Sequence, residues 1–176
     1  NFELTARCNF NCKMCYVHLT AEEQQRRGRE LTADEWLAIA QEARSRGMLF
    51  LLLTGGEPLV RKKDVLKLAE KHNDVQFAIY TNSTLIDEPF CEEVRRLGNI
   101  AFMLSIEGTP ETNDARRGEG HYAAVMHAMD LLKKYGILFG TSICYTSQNI
   151  EAVTNDAFMR LLCDCLLYTS DAADEL

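Results

Sequence analysis

The chain has 176 residues, 47% of them hydrophobic and 26% charged, and its 26 acidic against 19 basic side chains leave a formal charge of −7. That is the composition of one soluble globular domain long enough to bury a core, and its acidic balance gives no electrostatic footprint for duplex nucleic acid. The longest apolar run, Met48 to Leu53, is far too short to cross a bilayer and no signal-peptide pattern opens the chain, so neither membrane residence nor secretion is expected.

Apolar runs punctuated by turn residues alternate with amphipathic helical stretches. Phe2–Thr5 forms a short first strand. Arg26, Arg27 and Arg29 are a small basic cluster, read as a solvated loop. Thr32-Ala-Asp-Glu35 is a capping box that starts a helix with Trp36, Ile39, Ala40 and Ala43 on one face and Gly47 as its stop. Leu49–Thr54 is continuously apolar rather than alternating, which predicts a strand buried on both faces. A helix follows through Val65, Leu66, Leu68 and Ala69, and Val75–Tyr80 is the next strand. Asp87 and Pro89 start a helix carrying Phe90, Cys91, Val94 and Leu97, closed by Gly98. Ile100–Ser105 is a fourth strand. The helical pattern from Glu111 to Tyr135 presents Tyr122, Val125, Met126, Met129 and Leu132 on one face and ends at Gly136. Ile137–Tyr145 is a fifth strand, and Val153–Leu162 is helical.

One helix fits between each pair of later strands, a rhythm that predicts an α/β fold of βα units around a parallel sheet. In a parallel barrel the loops leaving the carboxyl ends of the strands share one face, where ligands bind. Those loops hold Cys8–Cys15, Gly55-Gly-Glu-Pro58, Thr81-Asn-Ser83, Glu107-Gly108 and Gln148-Asn149. Five segments should therefore converge on one mouth.

Seven cysteines are an odd number and cannot all pair into intramolecular disulfides. Three of them, Cys8, Cys12 and Cys15, crowd into eight residues, which suits a reduced cytoplasmic protein with a metal or cluster site. Two centres fit the spacing. Zinc could take the three thiolates with His18 as fourth ligand, or a cubane could take them and leave one iron without a protein ligand, open to a small molecule. Asn9, Phe10, Asn11 and Met14, lying between the cysteines, suit a partly desolvated loop with polar groups for the sulfurs. Cys91 lies on an apolar helix face and reads as core, and Cys144, at a strand end, reads as packing. His121 and His127 are six apart and share no helix face, and His72 sits at a helix end, so all three are poor ligand candidates.

The segment Arg7-Cys-Asn-Phe-Asn-Cys-Lys-Met-Cys-Tyr16 resembles the signature of the radical S-adenosylmethionine (SAM) enzymes, with Met14 in the apolar place before the third cysteine. Gly55-Gly-Glu-Pro58 resembles the family's motif after the second strand, and Ser105-Ile-Glu-Gly108 resembles its Ser-Ile-Asp-Gly after the fourth. The resemblance covers Phe2 to Leu162 and is nearest to the peptide-modifying, sulfatase-maturase-like SPASM subgroup. It implies a partial (β/α)6 TIM-like barrel of about five βα units. It also implies that Cys8, Cys12 and Cys15 ligate three irons of a [4Fe–4S] cluster while SAM chelates the fourth. Reduction of the sulfonium would then give a 5′-deoxyadenosyl radical that abstracts hydrogen from a peptide or small-molecule substrate. A low-potential electron donor of flavodoxin or ferredoxin type would supply the electron.

The resemblance also carries roles at matching positions. Gly55 and Gly56 would let their backbone approach the methionine part of SAM. Glu57 would either pair with the SAM ammonium or fix its own loop. Ser105 and Arg117 match positions near the SAM carboxylate, Arg117 having as its alternative an ion pair with Glu119 or Asp114. Glu107 stands where Asp is commoner and would reach a ribose hydroxyl. Asn82 and Asn149 would contact SAM or cap turns. Tyr16 would lie by the adenine through its backbone. Ser83 stands where the family often has Gly. The segment from Cys165 to Glu175 resembles the conceptual translation of a transposon sequencing adapter, so the expected division is a core of 1–164, an incomplete barrel, and a non-native tail of 165–176.

Overall fold

The computed structural model describes residues 1–15, 23 and 28–166. Its strands are β1 (Phe2–Thr5), β2 (Phe50–Gly55), β3 (Gln76–Thr81), β4 (Ile100–Ser105) and β5 (Phe139–Ser142). All pair in parallel, each with its neighbour in sequence, in the order β1-β2-β3-β4-β5. Among the described residues β1 and β5 do not pair, so the sheet is an open arc of an α/β barrel.

The helices are α1 (Ala33–Ser45), α2 (Lys62–Lys71), α3 (Glu88–Leu97), α4 (Pro110–Arg117), α5 (His121–Lys134), α6 (Ile150–Thr154) and α7 (Asp156–Leu166), with a 3-10 turn over Pro58–Arg61. Their ends follow the chemistry of the sequence. Thr32 and Glu35 form the reciprocal capping box of α1. The Asp87 side chain accepts from the Phe90 N–H at the start of α3, and Gly98 closes that helix in the left-handed region.

The helices cover one face of the sheet. Leu51 and Leu53 of β2, Phe77 and Ile79 of β3, and Phe102 and Leu104 of β4 are buried there. Against them lie Trp36 and Ala40 of α1, Leu68 of α2, Phe90, Cys91 and Val94 of α3, and Val125, Met129 and Leu132 of α5. Asn99 ties the layers together, its amide nitrogen donating to the carbonyls of Ala69, His72 and Val75 at 3.0, 3.1 and 3.0 Å.

Three expectations need correction. β2 is buried on one face only: Leu51 and Leu53 are buried, whereas Phe50 is 63% exposed and Leu52 and Thr54 on its face are half-buried, because among the described residues no helix layer covers the concave side. β5 is shorter than Ile137–Tyr145, since the Ile137 N–H still closes onto Leu132 O and residues 146–149 form a turn. The stretch from Glu111 to Tyr135 is two helices broken at Gly118 and Gly120, both at positive φ, with Asp114 accepting from the Gly120 and Tyr122 N–H groups at 2.7 and 2.8 Å. No helix among the described residues is long and apolar enough to cross a membrane.

Candidate cofactor site

The carboxyl ends of the strands surround a cavity of about 420 Å³ lined by Cys8, Cys12, Cys15 and Met14, by Gly55, Gly56 and Glu57, and by Thr81, Asn82, Ser105, Arg117 and Cys144. Leu52, Thr54, Tyr80 and Ser142 of the concave sheet face form the rest of its wall. The register places Ser105 beside Ser142 and Tyr80 beside Met103, so one face of the sheet supplies the floor.

The cysteine loop is held from three sides. Its Lys13 N–H donates to Arg116 O at 3.1 Å, at the end of α4, and the Cys15 N–H turns back onto Cys12 O at 3.1 Å. From the loop after β3, the Asn82 amide nitrogen donates to Asn9 Oδ1 at 2.9 Å and to Cys8 Sγ at 3.7 Å. The Phe10 N–H also reaches Cys8 Sγ at 3.4 Å, and its ring meets His121 edge-on at 5.4 Å. All three thiols are free. Burial pushes Cys8 and Cys12 above the usual thiol range and the neighbouring thiols add to it. The Arg117 guanidinium pulls Cys12 back toward the thiolate, and N–H donors from Phe10 and Asn82 do so for Cys8.

Both glycines of the second loop are required by the chain itself. A Cβ on Gly55, which sits at φ +136°, would stand 2.3 Å from Thr5 O, and one on Gly56 would stand 2.4 Å from Arg7 O. The N–H groups of Gly56 and Glu57 donate to those same carbonyls at 2.7 and 2.9 Å, locking this loop to the root of the cysteine loop. Glu57 is 1% exposed and accepts from the Leu59 N–H, the Thr81 hydroxyl and the Asn82 N–H at 2.9, 2.8 and 2.7 Å. Burial raises its carboxyl pKa, an effect these donors partly offset. Its geometry is that of a residue fixing its own loop.

Glu107 and Asn149 do not line the cavity. Glu107 is fully buried beneath it, with Oε1 on Arg117 Nη2 and Nε at 2.6 and 3.1 Å and Oε2 accepting from the Cys144 N–H at 3.2 Å. Arg117 therefore pairs with Glu107, and neither Asp114 nor Glu119 is its partner. Asn149 caps a turn, accepting from the Thr146 N–H at 2.7 Å and donating to Glu107 O and Cys144 O. Cys144 is exposed at the rim, not packed. Tyr16 and His18 lie outside the described residues.

Two residues that the sequence left unmarked complete the support. Asn113 accepts from the Glu107 N–H and donates toward His121 Nδ1, both at 3.0 Å. His121 is fully buried, and burial, together with the Arg117 charge, holds its pKa down at about 4. The Thr109-Pro110 start of α4 is a local signal that could have found the helix carrying Asn113, whose other end meets the cysteine loop at Arg116 O.

No three His, Cys, Asp or Glu side chains among the described residues converge on a single-ion position. The three thiols instead stand around one open cavity, with N–H donors already on one sulfur and a guanidinium by another. That donor set fits a cubane that takes one thiolate per iron, and the adjoining hollow bordered by Gly55, Gly56 and Ser105 has room for a small polar molecule.

Several known proteins are similar to this chain. The radical SAM superfamily profile matches residues 2–158. The AdoMet-dependent heme synthase of Methanosarcina barkeri is 33% identical over 157 residues, 87% of this chain and 44% of that protein. The PqqA peptide cyclase of Granulibacter bethesdensis is 33% identical over 153 residues, 85% of this chain and 40% of that protein. Among solved structures, SuiB of Streptococcus suis bound to its precursor peptide SuiA superposes with a TM-score of 0.72 at 21% identity, over 91% of this chain and 35% of that one. The chain thus spans less than half the length of these relatives.

Proposed function

The chain belongs to the radical SAM superfamily, and from that membership we propose that it binds a [4Fe–4S] cluster on Cys8, Cys12 and Cys15 with SAM beside it, for hydrogen abstraction from a peptide. The observation that carries this reading is the shared cavity: three thiols from one loop and the glycine-rich loop after β2 face the same hollow. When bound, the cluster and SAM supply reductive cleavage of a C–S bond and a carbon radical.

The chain's own residues bind and orient. Gly55 and Gly56 offer backbone polar groups at the cavity wall, and Ser105 and Arg117 offer a hydroxyl and a cation for the SAM carboxylate. Glu57 and Asn82 keep the two loops in register. Glu107 holds the Arg117 guanidinium in place from below, and Asn149 holds the Glu107 loop. Met14, Leu52 and Tyr80 make the wall apolar, which favours exclusion of water. A peptide substrate is supported by relatives whose names record peptide work, the PqqA peptide cyclase and SuiB with SuiA. A low-potential flavodoxin- or ferredoxin-type donor in the cytoplasm would supply the electron.

Anaerobic reconstitution tests the reading. Iron and sulfide should approach four each per chain, in keeping with a [4Fe–4S] cluster on the three thiolates, about the content of one cubane. Addition of SAM and dithionite should then release 5′-deoxyadenosine. A colourless protein holding one zinc would overturn the proposal, and a brown protein that leaves SAM intact would reduce it to an electron carrier.

A further inference from the structure

Among the described residues His121 is the one fully buried imidazole, and nothing in the binding scheme uses it. It sits where three loops meet. Asn113 Oδ1 accepts from the Glu107 N–H at 3.0 Å, so the Asn113 amide nitrogen must be the donor toward His121 Nδ1, also at 3.0 Å. Nδ1 is therefore the acceptor, and the ring proton stands on Nε2. Nε2 is buried beside the Asn82 backbone without closing a hydrogen bond. The ring itself takes the edge of Phe10 at a centroid distance of 5.4 Å and an interplanar angle of 69°. Phe10 lies midway between Cys8 and Cys12 in sequence, and its ring borders Gly118, where a Cβ would stand in ordinary contact at 3.4 Å from Phe10 Cε1.

We propose that His121 is a positioning residue for the cysteine loop. It sets Phe10, and through it the spacing of Cys8 and Cys12, while Asn113 ties the same ring to the Glu107 backbone whose carboxylate holds Arg117. This rests on the cluster reading above. The neutral ring joins the loop that offers thiols to the loop that offers the guanidinium, so sulfurs and cation keep one relative placement. A core histidine with no such role would be interchangeable with any ring of its volume.

The test compares His121→Ala, His121→Phe and Phe10→Ala in the reconstituted protein. The readouts are iron retained per folded chain, the electron paramagnetic resonance of the reduced cluster, and the urea midpoint of the apoprotein. His121→Ala and Phe10→Ala should each weaken iron retention about tenfold, the size seen when support behind metal ligands is removed. The double variant should be no worse than either, because both act through one contact. His121→Phe keeps the ring edge but loses the Asn113 acceptor, and should retain iron with an altered resonance. A lowered urea midpoint with unchanged iron retention and resonance in all variants overturns the proposal, as do multiplicative effects of the two alanines. Should His121→Ala not fold, the Phe10→Ala and His121→Phe arms decide on the same readouts. An unsubstituted protein that takes up no iron overturns the cofactor reading itself, and this inference with it.

Discussion

Glu107 and Arg117, ten residues apart, meet at 2.6 Å beneath the cavity, and Arg116 approaches the other carboxylate oxygen at 3.7 Å. One buried anion thus answers two arginines. Removing it leaves both cations uncompensated in a water-poor site, which costs far more than the pair contributes. Glu107→Ala should lose about 3–5 kcal/mol of stability in urea unfolding. A loss below 1 kcal/mol would show that solvent reaches the pair.

Ser83 is the only non-glycine residue described at positive φ, at 70°, and its buried hydroxyl has no hydrogen-bond partner. Both features are unfavourable for a serine. Ser83→Gly relieves them together and should stabilise the protein by about 1 kcal/mol, read as a raised thermal midpoint.

Cys12 and Cys91 provide a matched pair of thiols, one at the cavity and one fully buried on the inner face of α3. Cys12→Ala should abolish iron and sulfide uptake, and Cys91→Ala should leave it intact. Equal losses in both would contradict the ligand assignment.

Burial pushes the Cys91 thiol from 9.0 up to about 11. The folded state keeps this proton after the unfolded chain has released it. The stabilisation is therefore complete below pH 9 and is lost as pH rises from 9 to about 11. Urea midpoints of the apoprotein should fall across that window, and Cys91→Ala should flatten the decline. Parallel declines in the two proteins would show that other groups carry it.

Gly56 has no room for a methyl group, since a Cβ would stand 2.4 Å from Arg7 O and 2.7 Å from Ala6 O. Gly56→Ala must part the two loops. It should destabilise the apoprotein by about 1–3 kcal/mol and reduce iron uptake as well. Unchanged uptake would mean that the glycine-rich loop and the cysteine loop are not coupled.

The order of elements could be read from the chain because it rests on local chemistry. Thr32 and Glu35 cap α1, Asp87 and Gly98 bound α3, and the apolar residues of α5 recur at helical spacing. The exposure of Phe50 could not be read so, because a continuous apolar run is the same whether one face or two are covered. The convergence of the five loops was legible from parallel topology alone. Their inner bonding was not. Glu57 had two compatible explanations in sequence and Gly56 only the approach to SAM, and only the folded chain shows their contacts to Asn82 and Arg7. Asn113 and His121 act across gaps of six and eight residues that follow no periodicity, so nothing in the pattern marked them.

Because each strand pairs only with the strand before and after it, the sheet can be laid down in the order of synthesis. Once Asn82 has followed β3, the contacts that join the paired glycines, Glu57 and Asn82 can form, while the cysteine loop still awaits Arg116 and His121. The glycine-rich loop and the loop after β3 can thus be joined well ahead of the Glu107–Arg117 pair, and α4 with the start of α5 then closes the cysteine loop over them.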